Sequence, residues 1–556
     1  MPPRPEFCGA TVRPMAVALS CLRLCLCLCL CLCLRRFVAL ASTGLTIAWL
    51  AGCASLPPPQ PHPVLTSAIT DVADTDLGRL AAKDAPQGGA AGLSGFRLLP
   101  EAAFAFDARI SLARHAEKSL DVQYYLISND DVGLLFLKEL REAAARGVRV
   151  RLLVDDLYTA GEDEVFSSLS AFPNIEVRLF NPLPSRAASL PARLLLSLGD
   201  FRRINHRMHN KLLVADNSFA VSGGRNIANE YFMRSTAANF IDMDVLSSGP
   251  IVRRMSEGFD RYWNSDHAWP IERIVPRRLP LEEAQRRFDA LARAAVPDVP
   301  IQPRDVLGKS PVGEQLTTGR IDRYWAPATL FVDDPDKITR KAEAAYGGSV
   351  TEGALGVIQA ARHEVKIGSP YFIPGARGMA MMKTAIERGG RITVVTNSLG
   401  ATDEPLAYAG YERYRADMLK IGVTIYEIAP TLTGRTGRFG DFGKSISRLH
   451  AKLAIVDNER FFVGSMNLDH RSAAVNTEMG LVIDSPLLVK DYDRLMGGER
   501  VNLGYRLRLA PGGRRVQWLE YDDAGGDIVH EDEPGEFLWL RFKNWLLLPI
   551  VGEELL

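Results

Sequence analysis

The chain has 556 residues, of which 47% are hydrophobic, and its 66 lysines and arginines balance 66 aspartates and glutamates. This length and hydrophobic content allow several folded units and exclude disorder for most of the chain. A formal net charge of zero argues against a dedicated nucleic-acid-binding protein, so we expect no nucleic acid among its partners.

The amino terminus has the pattern of an export signal. Two arginines at 35 and 36 precede an apolar stretch at residues 37–49, which is too short to span a bilayer, and a Leu-Ala-Gly sequence leads to Cys53. This ending resembles a bacterial lipoprotein signal, which implies acylation of Cys53 and a lipid anchor that holds the chain at a bacterial membrane on its periplasmic face. An ordinary signal anchor is the alternative, and it also places the body outside the cytoplasm.

All eight cysteines lie within the first 53 residues, five of them in strict alternation with leucine. A disulfide framework or a cysteine-bound metal in the folded body is therefore excluded. We predict residues 1–52 to be a signal peptide with a low-complexity start. Residues 53–95, which are rich in proline and glycine, are predicted to be a linker.

The body contains two copies of one α/β unit. In each copy the hydrophobic pattern predicts a strand, an amphipathic helix and a second strand, and an Arg-Gly pair ends the helix. These elements span residues 120–126, 132–146 and 148–154 in the first copy and 365–372, 379–388 and 392–396 in the second. The repeat predicts two α/β domains, each with a parallel or mixed sheet covered by helices.

Both copies carry His, Lys, Asp, Gly and Asn at the same spacing. These residues are His209, Lys211, Asp216, Gly223 and Asn226 in the first copy and His450, Lys452, Asp457, Gly464 and Asn467 in the second, and the matched glycine is followed by Gly224 in one copy and Ser465 in the other. One His-x-Lys motif is a weak signal, but a matched pair in matched repeats is a strong one. Residues two apart on a strand face the same side, so the histidine and lysine of each copy are predicted to project from a strand into one cavity.

These residue types suit a reaction at a phosphodiester. A neutral imidazole can attack phosphorus, and a protonated imidazole can give a proton to the leaving alkoxide. Lysines can hold the charge of the non-bridging oxygens, and a glycine turn brings backbone amides and an asparagine close to an anion. The predicted substrate-binding residues are Gly224, Asn226, Ser465 and Asn467.

The sequence indicates no need for a metal ion or another cofactor. Aspartates at 155–156 and at 333–336 could suggest a magnesium site. We interpret the first pair as the end of a strand and the second group, which contains a proline, as a turn.

Each copy also has a carboxylate downstream of its histidine. Asp242 lies 33 residues after His209 and Glu478 lies 28 residues after His450, and a five-residue insertion accounts for the difference. Such a carboxylate can accept the Nδ1 proton of an imidazole and fix its tautomer. The alternative is that both are ordinary exposed acids, which spacing alone does not distinguish.

The double His-x-Lys-(x)4-Asp motif resembles the signature of the phospholipase D superfamily. This resemblance implies two α/β sandwich domains, each a mixed sheet flanked by helices, with a pseudo-twofold relation and an active site at their interface. It also implies a covalent phosphohistidine, with His209 as nucleophile and His450 as general acid. Asp216 and Asp457 complete the motif, and in the family this aspartate is more often structural than in contact with phosphate.

Further stretches are similar to the C-type bacterial cardiolipin synthases, over most of the chain from about residue 74. They lie at 120–125, 149–156, 174–182, 223–227 and 476–486. The similarity implies transfer of a phosphatidyl group to phosphatidylglycerol, with phosphatidylethanolamine or a second phosphatidylglycerol as donor. The two amino-terminal membrane helices of other synthase branches have no counterpart here, so the lipid anchor is expected to replace them.

We predict a first phospholipase D-like domain at residues 96–335, a second at 336–500 and a carboxyl-terminal tail at 501–556. Within the tail, residues 537–548 combine tryptophans, leucines and two cations, which suits either a membrane surface or a helix packed on the body. The insert at 183–198 is a candidate for lipid entry, with simple packing as the alternative.

The leading prediction is a membrane-anchored phosphatidyltransferase that makes cardiolipin from phospholipid substrates. A phospholipase D hydrolase, in which water resolves the intermediate and phosphatidic acid is released, would carry the same motifs. A nuclease is disfavoured by the zero net charge and the export signal. A non-catalytic lipid-binding lipoprotein is disfavoured because both His-Lys pairs are intact.

Overall fold

The computed structural model describes residues 35, 56–58, 65–87, 92–295, 301–339, 350–431, 440, 442–496, 504–521, 526–535 and 540. The predicted signal peptide apart from Arg35, the predicted acylation site Cys53, and the segment 537–548 apart from Leu540 lie outside these residues.

Most strands of the first half form a nine-stranded sheet. The strands are β1 (Ser94–Leu99), β2 (Ser119–Tyr124), β3 (Arg149–Asp155), β4 (Ile175–Phe180), β5 (Leu212–Ala215), β6 (Phe219–Gly223), β7 (Ala238–Ile241), β8 (Asp244–Ser248), β9 (Ala268–Pro270) and β10 (Tyr324–Ala326). The helices are α1 (Asp76–Ala82), α2 (Ala102–His115), α3 (Asp131–Ala145), α4 (Asp163–Leu169), α5 (Leu190–Leu196), α6 (Phe201–Ile204), α7 (Pro250–Trp263), α8 (Ile271–Ile274), α9 (Leu281–Ala294) and α10 (Val312–Thr318), with 3₁₀ turns at Leu198–Asp200 and Asn229–Phe232.

The second half forms a ten-stranded sheet. Its strands, together with β15 of a separate small sheet, are β11 (Ala328–Val332), β12 (Glu364–Gly368), β13 (Arg391–Asn397), β14 (Thr424–Ile428), β15 (Ile446–Leu449), β16 (Leu453–Val456), β17 (Arg460–Gly464), β18 (Met479–Asp484), β19 (Gly504–Leu509), β20 (Val516–Tyr521) and β21 (Asp527–His530). The helices are α11 (Val350–Gln359), α12 (Gly375–Glu387), α13 (Pro405–Ile421) and α14 (Pro486–Met496), with a 3₁₀ turn at Pro335–Thr339 and a π-helical turn at Arg471–Val475.

The two sheets repeat one strand order. The first contains β1-β8-β6-β5-β2-β3-β4 and the second β11-β18-β17-β16-β12-β13-β14, in the same relative positions. In each sheet the two strands of the predicted strand-helix-strand unit and the next strand along are parallel to one another: β2, β3 and β4 in the first sheet and β12, β13 and β14 in the second. The other pairs in these orders are antiparallel. The predicted fold class, two α/β halves with mixed sheets, is therefore confirmed.

The Arg-Gly signals at the carboxyl-terminal ends of both helices are confirmed, whereas α12 begins at Gly375, four residues before its predicted start. Helix α3 begins after Asp130, whose side chain accepts a hydrogen bond from the N–H of Gly133. Gly147 follows the last turn with φ of 98°, and Gly389 follows α12 with φ of 89°. Glycine adopts this left-handed conformation without a steric penalty, so the chain can turn directly into the next strand.

The two halves share part of their hydrophobic core. One buried cluster contains Phe96 and Val245 from the first sheet together with Phe461 and Leu481 from the second. Burial of a side chain of this size stabilises the folded state by about 1.5–3 kcal/mol. The cluster therefore holds the halves in a fixed relation, which a site at their junction requires.

The sheets divide the chain differently from the predicted boundaries. The first sheet ends with β10 and the second begins with β11, so the change falls at Pro327 rather than after residue 335. Strands β19, β20 and β21 of the second sheet lie in the region predicted as a tail. The alternation of buried Tyr505 and Leu507 with exposed Arg506 and Arg508 is the strand signal in this region.

Within the described part of the chain, none of the helices combines the length and hydropathy needed to cross a bilayer. The insert predicted at 183–198 contains α5 and continues into a 3₁₀ turn.

Candidate active site

The histidines and lysines of both motifs lie where the two halves join. The peptide N–H of His209 donates to the carbonyl of Thr477 at 2.9 Å, and that of His450 donates to Ile241 at 2.7 Å, so each histidine is bonded through its backbone to the other half. The two histidines are 7% and 4% exposed and both lysines are buried. The site is thus a largely dehydrated cluster shared by both halves.

The motif residues precede the strands on which they were predicted. Strand β5 begins at Leu212 and β16 at Leu453, and both are fully buried, as the apolar runs predicted. The histidines and lysines lie in the irregular segments just before these strands, where the histidine N–H groups bond across to the other half instead of joining a sheet ladder.

Each imidazole is held by a carboxylate from the opposite half. Glu478 accepts hydrogen bonds from Nδ1 of His209 at 3.0 and 3.1 Å, and Asp242 accepts one from Nδ1 of His450 at 2.7 Å. The equal spacing predicts that each carboxylate holds the histidine of its own repeat. In the structure each carboxylate holds the histidine of the other repeat. Because Nδ1 carries the proton in this arrangement, Nε2 of each neutral ring is left with a lone pair.

Short parallel pairings explain the exchange. Strands β7 and β15 are parallel, with Ile241 opposite Leu449, so the next residues, Asp242 and His450, leave the pair side by side. Met208 forms a parallel bridge with Thr477, and the next residues are His209 and Glu478. Sequence could not reveal these pairings, since each joins strands or segments from different halves.

The two imidazoles differ in their electrostatic surroundings. Burial, with Lys211, Lys452 and His450, holds the pKa of His209 well below its ordinary value. Burial and Lys452 also lower the pKa of His450, but Asp242 opposes this shift. His450 therefore keeps a proton more readily than His209.

The two carboxylates that hold the imidazoles also differ in pKa. Burial raises the pKa of Glu478 to about 7. Burial also acts to raise that of Asp242, but His450 and Lys452 outweigh it and lower the pKa to about 2. The low pKa of Asp242 requires a positive charge nearby, and Lys452 supplies one even when the His450 ring is neutral. At neutral pH an ionised carboxylate thus faces His450, and a partly protonated one faces His209.

Both lysines are turned toward the histidine of their own motif. Lys211 Nζ donates to the carbonyl of His209 at 2.7 Å, and Lys452 Nζ donates to that of His450. Burial lowers the pKa of Lys452 to about 8, and it lowers that of Lys211 well below the ordinary value. Binding of an anion beside these buried amines stabilises their protonated form, and the positive charge in turn holds the anion.

Gly224 and Ser465, predicted as substrate-binding residues, lie at equivalent places beside the carboxylates. A Cβ atom on Gly224 would be 2.1 Å from Oδ1 of Asp242, so only glycine fits. Ser465 Oγ donates to Glu478, and its N–H donates to the carbonyl of Met479 at 2.9 Å. Their observed contacts are therefore with the groups that hold the imidazoles.

The asparagines of the two turns are buried. Asn226 Nδ2 donates to the hydroxyl of Tyr231 at 2.9 Å, and the ring of Tyr231 lies 5.1 Å from that of His450. The N–H of Asn467 donates to Ser472 Oγ at 3.3 Å. Within the described ranges, Oδ1 of both asparagines has no hydrogen-bond partner. Buried amide oxygens are normally paired, so these two are candidates to meet a ligand.

The motif aspartates lie outside this cluster. Asp216 accepts the backbone N–H groups of residues 117, 118 and 119 at 2.8–2.9 Å, and Asp457 accepts those of residues 362, 363 and 364 at 2.7–2.9 Å. Both aspartates have left-handed φ, 46° and 54°. Each one ties the turn after the motif strand to the start of the adjacent strand β2 or β12.

We expect Asp216→Asn to lower the free energy of unfolding without changing the rate of the catalysed reaction. Asparagine tolerates the left-handed backbone, but one acceptor oxygen becomes a donor facing buried N–H groups, which costs about 1–3 kcal/mol. Thermal unfolding measures the loss, and kcat/KM per folded molecule should stay within about twofold of the parent. Asp457→Asn, at a more exposed site, should lower Tm less. Selective loss of kcat with unchanged Tm would contradict this role.

Several residues of the site were not predicted as such. The ring of Tyr125 lies 4.9 Å from that of His209, and the ring of Phe240 lies 4.9 Å from that of His450. Asp333, interpreted as a turn residue, is buried and accepts the backbone N–H of Glu478 at 3.1 Å. Aromatic residues and a turn aspartate carry no spacing signal of their own, so sequence offered little to find them.

The described residues contain no cluster of three or more histidine, cysteine, aspartate or glutamate side chains able to hold a metal ion. A cavity of about 1140 Å³ lies in the second half, lined by α11, α12 and residues near Met466 and Leu468. None of the motif histidines and lysines lines it. The candidate site is therefore the buried cluster at the junction and not this cavity.

Comparisons with known proteins agree with the repeat. The family described as "Cardiolipin synthase, PLD-like domain" matches residues 110–263 and 355–498. The chain is 36% identical over 453 residues to cardiolipin synthase C of Escherichia coli, which covers 80% of this chain and 93% of that protein. It is 24% identical over 387 residues to cardiolipin synthase A of Pseudomonas fluorescens, covering 69% of this chain and 64% of that protein.

Among solved structures, the phosphatidylserine synthase of Haemophilus influenzae aligns with 77% of this chain and 92% of its own, at 15% identity and a TM-score of 0.49. The family match covers more than half of the chain, and the first relative covers four fifths of it. The chain belongs to the cardiolipin synthase family of phospholipase D-like proteins.

Proposed function

We propose that this protein is a phosphatidyltransferase that makes cardiolipin by transferring a phosphatidyl group to phosphatidylglycerol. The observation that carries the proposal is the pair of imidazoles at the junction, each held at Nδ1 by a carboxylate of the other half and accompanied by a lysine. The names of the relatives, cardiolipin synthases of several bacteria, support the same reaction.

In the proposed first step Nε2 of neutral His209 attacks the phosphorus of the donor lipid. A P–N bond forms, the P–O bond to the headgroup breaks, and protonated His450 gives its Nε2 proton to the departing alkoxide. In the second step His450 takes the proton from a hydroxyl of phosphatidylglycerol, the alkoxide attacks phosphorus, and the P–N bond breaks. Cardiolipin leaves and both rings return to their starting states.

The electrostatics support this division of roles. The pKa of His209 is held well below its ordinary value, which favours the neutral nucleophile, while Asp242 opposes the loss of a proton from His450. Lys211 and Lys452 are placed to hold the non-bridging oxygens as negative charge develops. The buried Oδ1 atoms of Asn226 and Asn467 suit hydrogen bonds from hydroxyls of a glycerol headgroup.

We further propose that the chain acts at a membrane on the periplasmic face, held by acyl chains on Cys53. The Leu-Ala-Gly-Cys sequence supports acylation, and each buried methylene adds about 0.8 kcal/mol to membrane binding. The donor is phosphatidylethanolamine or a second phosphatidylglycerol. A hydrolase would use the same residues with water as acceptor, so the products distinguish the two reactions.

The experiment is incubation of the purified full chain with mixed micelles of phosphatidylglycerol and phosphatidylethanolamine, followed by mass spectrometry of the lipids. We expect cardiolipin, with loss of its formation in His209→Ala. Ethanolamine release would identify phosphatidylethanolamine as donor, and glycerol release would identify phosphatidylglycerol. Phosphatidic acid without cardiolipin would favour the hydrolase, and no lipid product at all would refute both reactions.

A further inference from the structure

An apolar patch lies on the surface of the first half, from the end of α5 to the start of α6. Leu195, Leu198 and Phe201 are 55%, 53% and 50% exposed and fall within seven residues of sequence. We call these three side chains the apolar patch. Single exposed apolar residues are common on proteins, but a cluster of large ones marks a surface that contacts something other than water.

The patch has a cationic border. Arg202 follows Phe201 and is exposed. The nearby acid, Asp200, is engaged by Arg203 at 2.6 Å, and Arg203 also donates to the carbonyl of Pro182 at 2.9 Å. The surface therefore offers apolar side chains next to an exposed positive charge.

A chain of contacts connects the patch to the candidate active site. Arg193, on α5, is buried and donates to Oγ1 of Thr159 at 2.9 Å. The preceding residue, Tyr158, is 40% exposed, and its ring lies 5.3 Å from that of Tyr125. The ring of Tyr125 lies 4.9 Å from that of His209. The ring contacts thus run from His209 through Tyr125 to the partly exposed Tyr158, which lies beside α5.

The other end of the patch is fixed to the second half. Asn205, which follows α6, accepts a hydrogen bond from Arg471 at 2.8 Å, and Nδ1 of His206 lies 2.9 Å from the carbonyl of Val475. His209 follows three residues later. The patch is therefore held on the junction that contains the site, and not on a remote loop.

We infer that the apolar patch and Arg202 dock the protein on the surface of a phospholipid bilayer, with the exposed side of Tyr158 facing the lipid. Three side chains are far less than the roughly 1,000 Å² that a specific protein interface buries, which argues against a second copy as the partner. Apolar side chains beside an arginine match the boundary between acyl chains and anionic headgroups, where side chains enter by about 5–10 Å. The inference rests on the proposed function, because it names the surface through which lipid substrates reach the site.

The first test uses tryptophan as a reporter in the full chain bound to vesicles. Vesicles contain equal parts of phosphatidylglycerol and phosphatidylethanolamine, with or without brominated acyl chains that quench tryptophan at close range. We expect the emission added by Leu198→Trp to fall by at least half with brominated lipid. Leu281→Trp and Leu487→Trp, at leucines 51% and 55% exposed on other helices, are matched controls and should change little. Equal quenching at all three positions, or none at 198, would overturn the inference.

The second test separates docking from chemistry. The triple variant Leu195→Ser, Leu198→Ser and Phe201→Ser should keep its Tm and its rate on monomeric dihexanoyl phosphatidylglycerol, while its rate on dilute vesicles falls on the order of 10–100-fold. An unchanged rate on vesicles, or a shift from dimer to monomer in light scattering, would refute docking on lipid. If even the parent chain has no activity, the proposed function fails, but the quenching measurement still decides the surface.

Discussion

His209→Ala and His450→Ala are expected to fail at different steps when the donor carries a good leaving group. With phosphatidyl-p-nitrophenol, departure needs no proton, so His450→Ala should still form the P–N bond to His209 and release about one p-nitrophenol per site in a burst. It should then stall, because no base activates the acceptor. His209→Ala should give no burst and lose at least about 10⁴-fold in turnover.

The covalent adduct is the decisive readout. Rapid acid-free digestion and mass spectrometry of His450→Ala should find a phosphatidyl group on the peptide that contains His209. With an ordinary phospholipid donor the same variant should lose about 10²–10⁴-fold, since the alkoxide then needs its proton. His363→Ala, at an exposed histidine of the second half, is the matched control and should keep full activity. A burst from His209→Ala with an adduct on His450 would exchange the two roles.

The repeat and the equivalent positions of its motif residues were predictable because each rests on local sequence. Two strand patterns, an amphipathic helix between them and an Arg-Gly pair at the end of that helix define the unit of β2, α3 and β3. The same signals recur in β12, α12 and β13. Identical spacing of the motif residues then placed two histidines in equivalent positions. These features depend on neighbours in the chain, which is what periodicity and spacing report.

The contacts between the halves were not predictable in the same way. Equivalent spacing gave Asp242 and Glu478 as a matched pair, but which imidazole each one holds depends on the pairing of β7 with β15 and on the bridge from Met208 to Thr477. These are contacts over more than 200 residues. The contact of Asp333 with Glu478 lies within the second half, but it joins residues 145 apart in the chain, and a turn-like sequence concealed it.

Because the carboxylates are exchanged, each imidazole is held by a carboxylate of the other half. Of the two carboxylates, we expect neutralisation of Asp242 by Asp242→Asn to lower activity more. Asp242 is the ionised partner of His450 and opposes the loss of its proton. Without this charge, burial and Lys452 lower the pKa of His450 further, so less of it is protonated at pH 7. We expect kcat/KM at pH 7 to fall about 10–1,000-fold with a natural phospholipid donor.

The pH profile gives the sign of the effect. A general acid is active below its pKa, so a lower pKa of His450 moves the alkaline limb of kcat/KM to lower pH, and acidification should recover part of the lost activity. The p-nitrophenol burst, which needs no proton from His450, should be nearly unchanged. Glu176→Gln, an exposed neutralisation in the same half, should leave the profile as it is. A uniform loss at every pH and with both donors would mean that Asp242 only maintains the fold of the junction and does not set the proton affinity of His450.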